Sequence, residues 1–416
     1  SLDQPLVFYA FVAVVAFAIA AFLLRLKNSP FGHVLVAIRE NEVRTRFLGY
    51  PVMSYKLLAF VVSATVTGLA GGLSVLNHRI ASAESLSVAF SGELLALVLI
   101  GGMRSYAGPI FGALFFVLFR EYLSMFTENW LLYFGLVFIL FILFSPSGLA
   151  GIGQRLWQML KPPRETEAAM SARNTPPVVG AFPSFLPEHL KESVEVSGIS
   201  KRFGGIAAVS DVSTNIAARG VHALIGPNGA GKTSFFNLLS GMFAPDSGSI
   251  RFKGRELAGQ APNVICASGI SRSFQITNLF KGLSVRDNLM LSVLARNPAR
   301  FSLLKSVEKV EQVQTETQEL TKFLGVNGME HAIAEDLSYG GQRLVDMGLA
   351  LGSAPAVLLL DEPLAGLAVA ERDRIGKLIR ALGDRIGVLL VEHDVDRVFA
   401  IADCITVMNQ GQVLIE

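Results

Sequence analysis

Val221-His222-Ala223-Leu224-Ile225 runs directly into Gly226-Pro227-Asn228-Gly229-Ala230-Gly231-Lys232-Thr233, and Ser234-Phe235-Phe236-Asn237-Leu238-Leu239 follows. A short apolar run, a glycine-rich loop ending in Lys-Thr and a helix-like pattern form the strand–loop–helix setting of a GxxxxGK[ST] phosphate loop. Glycines let backbone N–H groups close around phosphate oxygens, and the helix N-terminus adds favourable partial charge. Residues Gly226 to Ser234 are therefore the candidate phosphate cradle, with Lys232 reaching the β- and γ-phosphates and Thr233 placed to ligate Mg²⁺. Downstream, Val357-Leu358-Leu359-Leu360-Asp361-Glu362 reads as a buried strand that ends in two carboxylates. Its spacing offers Asp361 to a magnesium shell and Glu362 to the attacking water.

Outward from this core, composition divides the chain. Of 416 residues, 51% are hydrophobic and only 17% charged, too apolar for an ordinary soluble enzyme, with length enough for two domains. Charges are rare up to about Gly153 and normal for a globular protein after Lys161. The 36 basic and 34 acidic residues leave a net charge of +2, and no long basic stretch points to nucleic acid. Cys266 and Cys404 have neither CxxC nor metal-ligand spacing and read as reduced thiols facing the cytoplasm. The start at Ser1-Leu2-Asp3-Gln4, without a basic n-region, reads as a segment of a longer polytopic protein.

Pro5 to Leu24 and Leu57 to Leu76 are each long enough to span a bilayer. A third apolar stretch, Leu94 to Phe119, is interrupted by Gly101-Gly102, Arg104 and Gly108-Pro109, and a fourth runs from Trp130 to Phe144. About five spanning or half-spanning helices result if the interrupted stretch is two. Arg25, Lys27, Arg39, Arg44, Arg46 and Lys56 place the first loop in the cytoplasm. Gly68, Gly71 and Gly72 form a small-residue face suited to close helix approach, and the interruption at Gly101–Pro109 suits a helix that lines a substrate path. His33 to Tyr50 reads as one short amphipathic helix, a candidate coupling element that docks onto an ATPase through Glu40 and Arg44. Pro162-Pro163, Pro176-Pro177, Pro183 and Pro187 mark an extended tether. The expected divisions are 1–152 (membrane permease), 153–192 (proline-rich linker) and 193–416 (ATP-binding domain).

Further motifs identify a family. Leu337-Ser338-Tyr339-Gly340-Gly341 lies between the phosphate loop and the acidic strand and resembles the LSGGQ signature of ABC cassettes. Gln275 in Ser271-Arg272-Ser273-Phe274-Gln275 matches the Q-loop, His393 in Val391-Glu392-His393-Asp394 the switch histidine, and Phe203 the aromatic that stacks on adenine. More closely, SRSFQITNLFKGLSVRDNL (271–289) and VEHDVDRVFAIAD (391–403) resemble LivG-type cassettes of branched-chain amino acid uptake systems. SPFGHVLVAIRENEVRTRFLGYPVMSYKLLAF (29–60) and FSPSGLAGIG (144–153) resemble the C-terminal part of LivM-type permeases.

That resemblance implies a polytopic α-helical membrane domain plus an α/β P-loop NTPase. The NTPase would carry a RecA-like core, an antiparallel β-subdomain and a helical signature subdomain. It implies an ATP hydrolase using ATP and Mg²⁺, with Glu362 and His393 catalytic. Phe203, Gly226, Pro227, Asn228, Gly229, Ala230, Gly231, Lys232, Thr233, Ser234, Gln275, Ser338 and Gly340 would hold nucleotide, and Thr233, Gln275 and Asp361 the metal. Ser338 and Gly340 would act across a head-to-tail dimer. The implied partners are a second, LivF-like cassette, a second, LivH-like permease subunit and a periplasmic substrate-binding protein. The implied setting is the bacterial inner membrane, with lipid around a multi-pass domain and the ATPase in the cytoplasm. Similar uptake systems for urea or short amides are an alternative, and an exporter half-transporter fits the spans and compact loop less well. Three positions depart from the pattern: Gly341 stands in place of Gln, Leu349 in place of Arg, and Ala368 in place of the Asp or Asn of the D-loop.

Overall fold

Uncharged runs of more than eighteen residues have one stable conformation in lipid, the helix, because it satisfies its own backbone. In the computed structural model, which describes residues 4–103, 105–145, 147–159, 182–188, 192–274 and 278–415, the chain opens with α1 (Pro5–Lys27), α2 (Pro30–Glu40), α3 (Glu42–Phe47) and α4 (Val52–His78). Helices α1 and α4 are long and apolar enough to cross a membrane, and much of their apolar surface is exposed. The single amphipathic helix expected over 33–50 is two helices. Asn41 is extended (φ −157°, ψ 95°) and its side chain accepts from Arg44 N, so it ends α2 and caps α3. Ser29 caps α2 in the same way, with Pro30 in the first turn.

The interrupted stretch is likewise two helices, α5 (Val88–Gly101) and α6 (Gly108–Ser124), followed by α7 (Trp130–Phe144) and α8 (Gly148–Met159). The glycines at the break face neighbouring backbone. A Cβ on Gly101 would collide with Gly108 O, one on Gly112 with Leu97 O, and one on Gly148 with Gly102 N. They allow α5, α6 and α8 to touch, and Ser105, within the interruption, lines a cavity of ≈ 540 Å³ with Phe111, Phe115 and Leu149. Phe116 and Phe134 meet edge-on at 5.0 Å in the core of these helices. By contrast, a Cβ on Gly68, Gly71 or Gly72 would meet nothing within 4 Å among the described residues. Helix α8 continues through 153–159 of the segment expected to be extended. Arg104, Pro162, Pro163, Pro176 and Pro177 lie outside the described residues.

Two compact units divide the chain, Ser1–Ile19 with Ser63–Glu165, and Ala20–Val62 with Thr166–Glu416. In the second unit, β1 (Val194–Phe203), β2 (Ile206–Ile216) and β3 (Gly220–Ile225) precede α9 (Lys232–Leu239). Then come β4 (Ser247–Phe252), β5 (Arg255–Glu256), α10 (Pro262–Ser268), β6 (Ile270–Arg272), α11 (Val285–Leu294), α12 (Glu311–Leu324) and α13 (Tyr339–Leu351). The chain continues through β7 (Val357–Asp361), α14 (Val369–Gly383), β8 (Gly387–Val391), α15 (Val395–Ile401), β9 (Cys404–Asn409) and β10 (Gln412–Ile415).

One sheet has the order β10-β9-β3-β8-β7-β6 and is parallel except for the β9–β10 pair. Strands β7 and β8 are buried along their whole length, as a parallel sheet covered on both faces requires. The other sheet, β2-β1-β4-β5, is antiparallel. Helices α11, α12 and α13 pack together in a shared core, giving the expected RecA-like core, β-subdomain and helical subdomain. Phe182–Glu188 lies on this unit: Leu186 is buried, and Arg385 and Arg296 sit over the rings of Phe182 and Phe185 at 4.5 and 4.4 Å.

Candidate nucleotide site and its permease-loop seat

Strand β3 delivers the loop 226–231, and Gly231, in the left-handed region at φ 96°, opens α9. A Cβ on Gly226 would collide with Met408 O, and one on Gly231 with Ala208 O, so the loop needs these glycines for room as well as conformation. Lys232 Nζ donates to Gly226 O at 2.7 Å and Pro227 O at 2.9 Å, which curls the loop around its own ammonium group. Burial pushes the Lys232 ammonium below its usual range, against the pull of Glu362 and Asp361. Above the loop opens a cleft of ≈ 480 Å³ lined by residues 228–234, Ile206, Ala207 and Ala208 of β2, and Glu362, His393 and Gln410.

The acidic strand β7 ends at this cleft. Asp361 is 1% exposed; its Oδ2 accepts from Arg272 Nη2 at 3.0 Å, and its Oδ1 has no hydrogen-bond partner among the described residues. Burial pushes the Asp361 carboxyl up and the Arg272 charge opposes it. Glu362 adopts φ +47°, a conformation that non-glycine residues avoid and that functional sites retain when neighbours hold it. The holder is Arg343, fully buried, which donates to Asp361 O at 3.1 Å, Glu362 O at 2.5 Å and Pro363 O at 3.2 Å. His393 Nε2 lies 2.7 Å from Glu362 Oε1. Behind it, the buried carboxylate of Glu392 accepts from Leu364 N and His393 N, tying the loop after β7 to the loop after β8.

The structure thus gathers Asn228 to Ser234, Glu362 and His393 around one cleft, with Asp361 buried one residue before Glu362 and Gly226 and Pro227 held beneath by Lys232. Three other sequence candidates lie apart. Ser338 caps α13, accepting from Gly341 N, and neither it nor Gly340 lines this cleft. A Cβ on Gly340 would collide with the Glu371 carboxylate. Phe203, 42% exposed at the end of β1, meets Phe243 edge-on at 5.3 Å and is not among the lining residues. Gln275 lies outside the described residues. Ala368, at the start of α14, offers no side-chain acceptor, and its N–H reaches Glu371 Oε2 at 3.3 Å.

Sequence reasoning misses Arg272, Arg343, Asp346 and Glu392. Two of them sit inside quoted motifs: Arg272 three residues before Gln275, and Glu392 beside His393. A buried charge has no signature of its own in one sequence; it shows only when the fold supplies its partner.

The second functional region is the seat of residues 30–50 on the cassette, within one compact unit. Phe31, Val34, Ala37, Leu48 and Tyr50 share a buried core with Leu289, Leu291 and Leu294 of α11. Tyr50 Oη donates to Leu291 O at 2.6 Å, and Tyr55 Oη to Arg300 O at 3.0 Å. Each fully buried large apolar side chain contributes roughly 1.5–3 kcal/mol. The exposed pairs Arg39–Glu40, Arg46–Glu42 and Lys56–Glu42 contribute about 0–1 kcal/mol each, so apolar burial decides the seating. Arg44 is fully buried, with Nη1 on Arg272 O at 3.2 Å and Nη2 on Asp346 O at 3.0 Å. Glu40 stays at the rim beside Gly282.

Comparison with known proteins follows this division. Residues 2–145 match the family described as branched-chain amino acid transport system permease component, and residues 209–365 match the ABC transporter family. The high-affinity branched-chain amino acid transport ATP-binding protein BraF of Pseudomonas aeruginosa is 37% identical over 230 residues, covering 53% of this chain and 89% of BraF. LivG of Escherichia coli, a protein of the same description, is 35% identical over 228 residues, with the same shares covered. A solved nucleotide-free ATP-binding cassette from an ABC transporter shares 28% identity, covers 54% of this chain and 90% of its own, and superposes with a TM-score of 0.48. The chain belongs to the ABC transporter family, joining a permease component of the branched-chain amino acid type to an ATP-hydrolysing cassette of the LivG and BraF type.

Proposed function

We propose that this chain is the fused permease and ATPase subunit of an importer that carries branched-chain amino acids across the bacterial inner membrane. The cassette would face the cytoplasm, beneath a multi-pass membrane domain. A second cassette, a second permease subunit and a periplasmic binding protein would complete the assembly. The observation that carries this reading is the seat of residues 30–50: a loop of the permease type shares one core with a cassette of the ATP-binding type. A change in the cassette therefore has a mechanical route to the membrane helices on either side, α1 and α4.

At the nucleotide site, the N–H groups of the loop and of the first turn of α9 would hold the β- and γ-phosphates. Lys232 would exchange the carbonyls of Gly226 and Pro227 for phosphate oxygens. Thr233, Asp361 and Gln275 would hold Mg²⁺. The unpartnered, buried Oδ1 of Asp361 suits that hard cation or its water, and oxygen donors at a strand end suit Mg²⁺ better than a softer metal. When bound, Mg²⁺ supplies neutralisation of charge on the β- and γ-oxygens.

Glu362, whose backbone Arg343 fixes, would orient water for in-line attack on the γ-phosphorus and accept its proton as ADP leaves. His393, held by Glu362, would contact the γ-phosphate, and Phe203 would face the adenine. Ser338 and Gly340 would cap the nucleotide of the partner cassette, in keeping with their position outside their own cleft. ATP would then favour the closed cassette pair and hydrolysis would remove that preference, which drives the permease between two states. Uptake of labelled leucine, urea and a dipeptide by vesicles carrying the complete assembly tests the reading. Leucine should accumulate when ATP and the binding protein are supplied; accumulation of urea alone would replace the substrate, and indifference to the binding protein would remove the importer.

A further inference from the structure

Between the seated permease loop and the acidic strand lies a side-chain stack that the functions above leave unused. The Phe274 ring has the Arg44 guanidinium 5.3 Å from its centroid and the Arg272 guanidinium at the same distance. Arg44 also donates to the Arg272 carbonyl at 3.2 Å, and Arg272 donates to Asp361 Oδ2 at 3.0 Å. Asp346 of α13 closes the arrangement. Its Oδ2 accepts from Phe274 N at 3.2 Å. Its Oδ1 lies 3.2 Å from Arg44 Nη2, an ion contact without hydrogen-bond alignment. Both side chains of that pair are fully buried.

A loop that needed only to adhere would do so better with apolar side chains, because desolvating two charges offsets most of their attraction. Here the cost is raised further, since Arg44 Nε and Arg272 Nε lack hydrogen-bond partners among the described residues. What the charges provide is directional contact: Arg44 Nη1 reaches the Arg272 carbonyl, and Nη2 reaches the carbonyl of Asp346, whose carboxylate in turn holds Phe274 N.

We infer that Arg44, through Phe274 and Arg272, is a positioning residue for the Asp361 carboxylate, so that the permease loop sets the geometry of the metal-binding oxygen in the ATP site. The inference rests on the assignment of Asp361 to Mg²⁺. When the loop shifts, Arg44 draws on the Arg272 backbone and on the ring that the two guanidinia share. Arg272 then turns Asp361, and Oδ1 leaves the position where it meets the cation. Lysine cannot replace arginine here, because an ammonium group keeps the charge opposite Asp346 but offers no planar face to Phe274.

The test uses the complete transporter loaded with a non-hydrolysable ATP analogue, with Mn²⁺ binding read by electron paramagnetic resonance. Arg272→Lys should raise the Mn²⁺ dissociation constant about tenfold or more, the range seen when a group behind a metal ligand is changed, and Arg44→Lys, one group further back, about three- to tenfold. Analogue affinity in EDTA should stay at the wild-type value in Arg44→Lys; Arg272 also donates to Asn237 Oδ1 and Ser240 Oγ at the end of α9, so that control belongs to the Arg44 variant alone. Unchanged Mn²⁺ affinity for assembled Arg44→Lys transporter overturns the inference. Should that variant not assemble, Phe274→Leu decides by the same reading, since it removes the ring and leaves every charge. If wild-type transporter shows no nucleotide-dependent Mn²⁺ signal, the metal assignment itself fails, a result distinct from loss of the Arg44 effect.

Discussion

The candidate nucleotide cleft is lined chiefly by a contiguous loop and the helix start that follows it, the loop bent by glycines at φ 152°, 81° and 96°. In the seat of residues 30–50, the contacts are side chains and carbonyls far apart in sequence, with Arg44 reaching Arg272 and Asp346 across separations of 228 and 302 residues. The cleft is open and polar, and the seat is closed and largely apolar. The difference teaches where each region tolerates change. A contiguous loop fails when one chemical group is lost, whereas a packed seat fails in proportion to the volume or charge removed.

The largest effect belongs to the cleft. Glu362→Gln keeps shape and removes the carboxylate proposed as the base, so ATP turnover by the reconstituted transporter should fall about 10²- to 10⁴-fold while ATP binding persists. Substantial residual turnover at this site would take Glu362 out of the catalytic role. Next comes Arg44→Met, which leaves Asp346 buried without its cation and should cost about 3–5 kcal/mol in thermal unfolding of the solubilised transporter. Adding Asp346→Asn should recover much of that loss, and no recovery would mean the pair does not interact in solution.

Smaller effects separate the centre of the seat from its rim. Tyr50→Phe removes a single buried hydrogen bond, so about 1 kcal/mol should be lost in the same unfolding measurement. Glu40→Gln should change stability by under about 0.5 kcal/mol, because its pairing with Arg39 is at the surface. Uptake per ATP in Glu40→Gln should stay near wild type. The sequence gives Glu40 and Arg44 equal weight in docking, and the structure separates them by burial.

Much of the cassette was legible in the sequence because its fold and its site are encoded by the same short runs. Val221–Ile225 and Val357–Leu360 announce buried parallel strands through composition alone, and the glycines after the first announce the phosphate loop. The division of 33–50 into two helices was not legible, although its cause is one residue. Asn41 reads as an ordinary polar position until its side chain is seen capping Arg44 N. The glycines at 101, 102 and 108 were visible as a break, but their partners are backbone atoms brought close by folding. Arg272, Arg343 and Asp346 escaped notice for a related reason: their importance is burial, and nothing local in sequence marks a buried arginine.

The central claim is that the seated loop converts ATP turnover into transport. Its most direct test is to measure leucine uptake and ATP hydrolysis in the same proteoliposomes, comparing wild type with Phe47→Leu. Phe47 meets Phe274 edge-on at 5.0 Å, and leucine removes that contact while keeping an apolar side chain in the seat. The account predicts that hydrolysis stays near wild type and that leucine moved per ATP falls severalfold. An unchanged ratio would contradict it.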